Sequence, residues 1–132
     1  MARKNSRALW SEKIIKGTTT GPVSLPATGL RSFSGHVLGI DPSLRGSGLA
    51  VLAFNKNLPP RLCASRTLRL KPSLTMATCL GEIYKAVADY IEDWPITHVA
   101  LEQTIYVQNY QTAMILGAAR GAAIAATSVL GK

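Results

Sequence analysis

The chain has 132 residues, room for one domain and not for two, and its 47% hydrophobic and 17% charged residues exclude a disordered or fibrous protein. A formal net charge of +8 points to an anionic partner, and phosphate is the commonest one for a small basic protein. The two cysteines, Cys63 and Cys79, match neither a disulfide framework nor a zinc spacing, so both are expected to be buried, reduced thiols of a cytoplasmic protein.

Residues 1–35 read as a flexible basic tail. They carry Arg3, Lys4, Arg7, Lys13, Lys16 and Arg31 against the single acid Glu12, a net +5 of the chain's +8. Ser, Thr, Gly and Pro interrupt them without any sustained period. The basic start is followed by no apolar core, so a secretory signal is not expected. Three readings of the tail stand: an arm adding non-specific DNA affinity, an extension from a misassigned start codon, or, as a minority reading, an organelle transit peptide.

The ordered part is expected from His36 to Lys132. His36 to Asp41 is a short apolar run ending on an acid, as a buried strand would. Pro42 to Gly48 supplies turn chemistry, and Gly48 to Phe54 is a second strand in a hairpin with the first. A turn at Asn55 to Pro60 leads to a third strand, Leu62 to Leu70. Pro72 stands where helices begin. Leu80, Ile83, Tyr84, Val87, Ile91 and Trp94 recur at helical spacing until Pro95 stops them. Ile96 to Leu101 is a fourth strand, again ending on an acid, Glu102. A polar loop then precedes a small-residue helix from about Thr112 to Val129. Arg120 interrupts its apolar run, so a helix packed on a sheet is expected rather than a membrane span. It is apolar nearly all round and wants cover on more than one side, which predicts poor solubility or association.

The order βββαβα is an α/β pattern with a mixed sheet. In a three-strand meander the first and third strands run parallel, and a crossover helix sets the fourth parallel to the first. If strands one and four are neighbours, Asp41 and Glu102 leave the sheet at the carboxyl edge, where open α/β sheets place ligands. Two converging carboxylates repel each other unless a divalent cation neutralises them, and hard oxygen ligands suit Mg2+ or Mn2+. The bland alternative for each acid alone is a turn starter or helix cap.

Leu38-Gly-Ile-Asp41-Pro-Ser-Leu-Arg-Gly-Ser-Gly48 resembles the first motif of the RuvC Holliday-junction resolvases. Val99-Ala-Leu-Glu102-Gln-Thr-Ile-Tyr-Val-Gln-Asn109, followed by Leu116-Gly-Ala-Ala-Arg120-Gly-Ala-Ala, resembles their second motif and its helix. The first motif is also used by sugar kinases and actin-like ATPases; the pair is specific. The resemblance implies an RNase H-like fold over residues 36–132 and a homodimeric endonuclease that resolves four-way DNA junctions with Mg2+. It further implies work with branch-migration machinery and a nucleoid-associated place in the cytoplasm. Asp41 and Glu102 match the first two catalytic, metal-binding carboxylates, and Gln103 and Asn109 match the DNA-facing loop. Relatives carry an aromatic three residues after the Glu, where this chain has Ile105. Tyr106, one position later, either stacks on an unpaired base or is a core aromatic. Relatives also continue with a strand and a helix bearing one more acid, with a His or Asp three residues before it. No Asp or Glu follows Glu102 here, so the resemblance implies an incomplete site and weak or absent cleavage by this chain alone.

Other residues have two-sided readings. Arg45 beside Asp41 is a phosphate-contact candidate. Arg120 reaches a phosphate or serves structure. Gly117 and Gly121 let the helix approach a neighbour, or form a dimer interface. His98 belongs to the core or a sheet edge, and Asp89, Glu92 and Asp93 to a solvated helix end at the opposite edge. Two function classes stand beside the nuclease: a catalytically inactive DNA-binding remnant, and an actin-like or sugar-kinase-like ATPase fragment.

Overall fold

A computed structural model describes residues 33–103 and 109–131. Tyr106 and nearly all of residues 1–35 therefore lie outside the described residues. Strands β1 (Gly35–Asp41), β2 (Gly46–Phe54) and β3 (Arg61–Arg69) come first, then helix α1 (Met76–Asp93), strand β4 (Ile96–Leu101) and helix α2 (Tyr110–Val129). The sheet order is β3-β2-β1-β4, with β1 antiparallel to β2 and parallel to β4.

Period-two alternation sorts the two sheet faces. Ser47, Leu49, Val51 and Ala53 of β2 are buried. With Leu38 and Ile40 of β1 and Leu68 of β3, the apolar members of that set form the helix-facing side. Ile83, Ala86, Val87 and Ile91 of α1 cover it, at the three- and four-residue spacing that the sequence shows. Helix α2 joins this core through Ala119, Ala123 and Ala126 and packs on α1. The opposite face carries small residues: Gly39, Gly48, Ala50 and Ala100.

Several expectations need correcting. Helix α1 starts at Met76, not at Pro72, because Thr75 is its cap: the Thr78 N–H donates to Thr75 Oγ1 at 3.2 Å. Helix α2 starts two residues before Thr112. Cys63 is only half-buried, since β3 is an edge strand, whereas Cys79 is buried as expected. Strand β1 begins at Gly35, one residue before His36. The Phe33 ring meets Phe54 and His98 edge-on at centroid distances of 5.4 and 4.8 Å. His98 is exposed on edge strand β4 and shares a 3.1 Å hydrogen bond with Thr97 Oγ1.

By length and composition alone α2 could cross a membrane. Its alanine stripe is packed within the fold, but Met114, Ile115, Ile124 and Val129 are exposed, so its outer face lacks cover among the described residues. A Cβ added at Gly117 or Gly121 meets nothing within 4 Å. Among the described residues those glycines therefore serve no close approach, contrary to the packing reading.

Candidate metal centre

Asp41 is the last residue of β1, and Glu102 directly follows β4. Parallel pairing puts Ile40 beside Leu101, and the Glu102 N–H donates to Ile40 O at 2.9 Å. The ladder therefore delivers both acids to one sheet edge on neighbouring strands. Both are exposed, and their carboxyl groups lie within hydrogen-bonding reach. The Glu102 carboxyl is held above its ordinary 4.5 chiefly by the hydrogen bond shared with Asp41, and then by Asp41's negative charge. Two adjacent carboxylates of like charge favour either a shared proton or a bound cation.

The turn after Asp41 is closed by Ser47, which is 2% exposed. Its hydroxyl donates to Ser43 O at 2.6 Å and accepts from the Ser43 N–H at 3.1 Å. A serine four residues beyond another is a weak sequence signal, and it does not reveal this role. Arg45 then ties the turn to the chain ahead of α1. Its guanidinium donates to Lys71 O at 2.6 Å and Leu74 O at 3.0 Å, and the Leu70 N–H donates to Arg45 O at 3.1 Å. Arg45 therefore acts as an internal clamp, two of its N–H donors being engaged by carbonyls of its own chain.

Two further candidates have structural employment. Arg120 donates to the main-chain carbonyl of Glu102, so α2 fastens the end of β4 and holds Glu102 in place. Asn109 caps α2: its Oδ1 accepts from the N–H groups of Gln111 at 2.9 Å and Thr112 at 3.3 Å. For Arg120 this is the structural one of its two readings, and Asn109 gains a capping role beside its place in the loop. Gln103 stays exposed beside Glu102. Asp89, Glu92 and Asp93 end α1, whose chain returns to the amino-terminal end of β4, the edge away from Glu102.

An open groove of about 650 Å3 runs from the two carboxylates across the small-residue face of the sheet. Gly39, Gly48, Ala50 and Ala100 contribute to its lining. No group of three or more His, Cys, Asp or Glu is close enough to share an ion among the described residues. A pair still fits Mg2+, which is commonly held by one or two carboxylates with substrate phosphates and water filling the remaining positions. The donor set, two exposed carboxylates facing a groove, suits that ion and not a soft metal.

Comparisons with known proteins point to one family. The family described as crossover junction endodeoxyribonuclease RuvC matches residues 37–129. A crossover junction endodeoxyribonuclease RuvC of Halorhodospira halophila is 40% identical over 91 residues, covering 69% of this chain and 53% of the relative. One of Akkermansia muciniphila is 34% identical over 96 residues, covering 73% and 57%. Among solved structures, Thermus thermophilus RuvC in complex with Holliday junction substrate aligns with a TM-score of 0.69 at 27% identity, over 74% of this chain and 59% of that one. The chain thus spans about half the length of the curated relatives it matches.

Proposed function

Because the chain belongs to the RuvC family of crossover junction endodeoxyribonucleases, we propose that Asp41 and Glu102 bind a divalent cation and direct hydrolysis of a phosphodiester in four-way junction DNA. The observation that carries this reading is the arrival of both carboxylates at one sheet edge, at the head of an open groove. Family membership sets the ATPase reading aside. Bound Mg2+, or Mn2+ in its place, supplies charge neutralisation at the phosphate and lowers the pKa of a bound water. Everything else falls to the chain. Asp41 is fixed by the Ser47-closed turn and the Arg45 clamp, and Glu102 by the β4 ladder and Arg120. The small-residue floor leaves space for a nucleic acid backbone beside them.

The test is nicking of a synthetic four-way junction with Mg2+ by the wild-type chain and by Asp41→Asn. Mg2+-dependent nicking that disappears in the variant supports the reading. Equal junction affinity in both proteins, with no nicking under any Mg2+ condition, transfers the function to DNA binding alone. That second reading draws on the absence of a third ligating side chain beside the pair among the described residues.

Homodimer formation belongs to the same proposal. The outer face of α2 places Met114, Gly117, Gly121 and Ile124 at three- and four-residue spacing, and all four are exposed. An apolar stripe of this kind suits a second copy of the helix. Self-association at micromolar concentration is expected in sedimentation velocity, shifting to monomer in Ile124→Glu. A monodisperse wild-type monomer contradicts it.

A further inference from the structure

Cross-strand register extends the carboxylate edge over the whole width of the sheet. Asp41 pairs with Gly48, and Gly48 pairs with Thr67 of β3. Thr67 therefore lies in the same row as Asp41, two strand spacings away, or about 10 Å. Only Gly48, which has no side chain, stands between them. Arg69 follows at the carboxyl end of β3, opposite Gly46. Leu68 is buried on the helix side, so alternation places Thr67 and Arg69 together on the open face. Ser65 and Thr67 line the groove that Asp41 and Glu102 head.

Three other arginines nearby have partners or acids beside them. Arg45 is committed to the carbonyls of Lys71 and Leu74, and Arg120 to that of Glu102. Arg66 contributes to the groove lining as well, but it also borders a depression shared with Glu82 and Asp89 of α1, where acids offset its charge. Arg69 is exposed at the carboxyl end of β3. The groove thus has acids at one bank and a hydroxyl pair at the other, with Arg69 just beyond it at the carboxyl end of the same strand.

We propose that β3 is the phosphate-holding bank of the groove: Arg69, assisted by the Thr67 hydroxyl, grips a backbone phosphate next along the strand from the one presented to Asp41 and Glu102. The DNA strand then crosses the sheet from β4 towards β3, over Gly48. Arginine suits this role because its planar fork pairs with phosphate through two hydrogen bonds. Arg69 and Thr67 position the strand and touch no reacting atom. This inference rests on the DNA reading proposed above.

The experiment is a fluorescence anisotropy titration of a labelled four-way DNA junction over a series of salt concentrations. It uses the full chain, Arg69→Gln, Thr67→Val, and Arg61→Gln, which makes the same charge change at the far end of β3. Arg69→Gln is expected to weaken binding about tenfold, the scale of one charge-assisted hydrogen bond. It also lowers the slope of log affinity against log salt by about one. Thr67→Val weakens binding with the slope unchanged, and Arg61→Gln matches wild type. If wild type binds and Arg69→Gln behaves like Arg61→Gln, this inference is overturned while the DNA reading stands. If wild type shows no salt-dependent binding, both are overturned.

Discussion

Asp41→Asn is expected to weaken Mn2+ binding by at least 10- to 100-fold, the loss seen even when only an outer-shell partner of a metal ligand is removed. The substitution keeps the shape of the side chain and removes one of two adjacent charges. What remains is Glu102 alone on an exposed edge, with a single carboxylate to compete with water for a strongly hydrated ion. The same change removes the first two causes of the raised Glu102 carboxyl, the hydrogen bond it donates to Asp41 when protonated and the charge of Asp41. Protons and metal compete for these oxygens. In wild type, metal affinity should therefore climb as pH rises through a range above the ordinary 4.5 of Glu102, and in Asp41→Asn any residual climb should move to lower pH. Stability carries the matching sign. A carboxyl whose folded-state pKa is raised favours the protonated form. Its contribution is fully present below the unfolded value and is lost as pH rises through the folded one. Because Glu102 is exposed, that effect is small, and added Mg2+ should offset it by raising the melting temperature more at neutral than at acidic pH. Isothermal titration at several pH values checks the first claim; identical affinities for wild type and variant contradict it.

Leu38→Ala is the second large effect, about 2–5 kcal/mol of lost stability. Leu38 is fully buried on β1, which lies between β2 and β4 and carries Asp41 three residues later. Its side chain belongs to the cluster under Ile83 and Val87 of α1. Truncation leaves a cavity that two strand partners and a covering helix cannot easily close. A domain of this size has only about 5–15 kcal/mol in total, so the variant should unfold at far lower denaturant. Leu62→Ala is the contrast: Leu62 is 59% exposed on edge strand β3, and a change within about 0.5 kcal/mol is expected there. Urea denaturation of both variants gives the comparison. Equal losses at the two positions contradict the core assigned here.

The sheet and its two acids were legible because they rest on strong local signals. Apolar runs of strand length end on Asp41 and on Glu102, and short turns leave the meander little topological choice. Parallel pairing of β1 with β4 then follows from the crossover helix between β3 and β4. The main-chain roles of Arg45, Arg120 and Asn109 were hidden for one physical reason. A sequence shows that Arg45, Arg120 and Asn109 can donate or accept, but every residue offers a main-chain partner, and only the fold decides which one is met. Arg45 found the carbonyls of Lys71 and Leu74, Arg120 that of Glu102, and Asn109 the free N–H groups opening α2. Helix α1 teaches the same lesson. Pro72 suits a first helical turn by its fixed φ, yet the Thr75 hydroxyl satisfies a free N–H and sets the start. Cys63 was misplaced because apolar character alone does not distinguish an edge strand from a central one.

The most direct test of the metal-centre claim is Mn2+-induced broadening of backbone amide signals in the NMR spectrum of the wild-type chain. Mn2+ added well below stoichiometry should first erase the resonances of Gly39, Asp41 and Glu102, and leave those of Asp89, Glu92 and Asp93 at the end of α1 intact. Broadening centred on Asp89, Glu92 and Asp93, with Asp41 and Glu102 unaffected, would contradict the account.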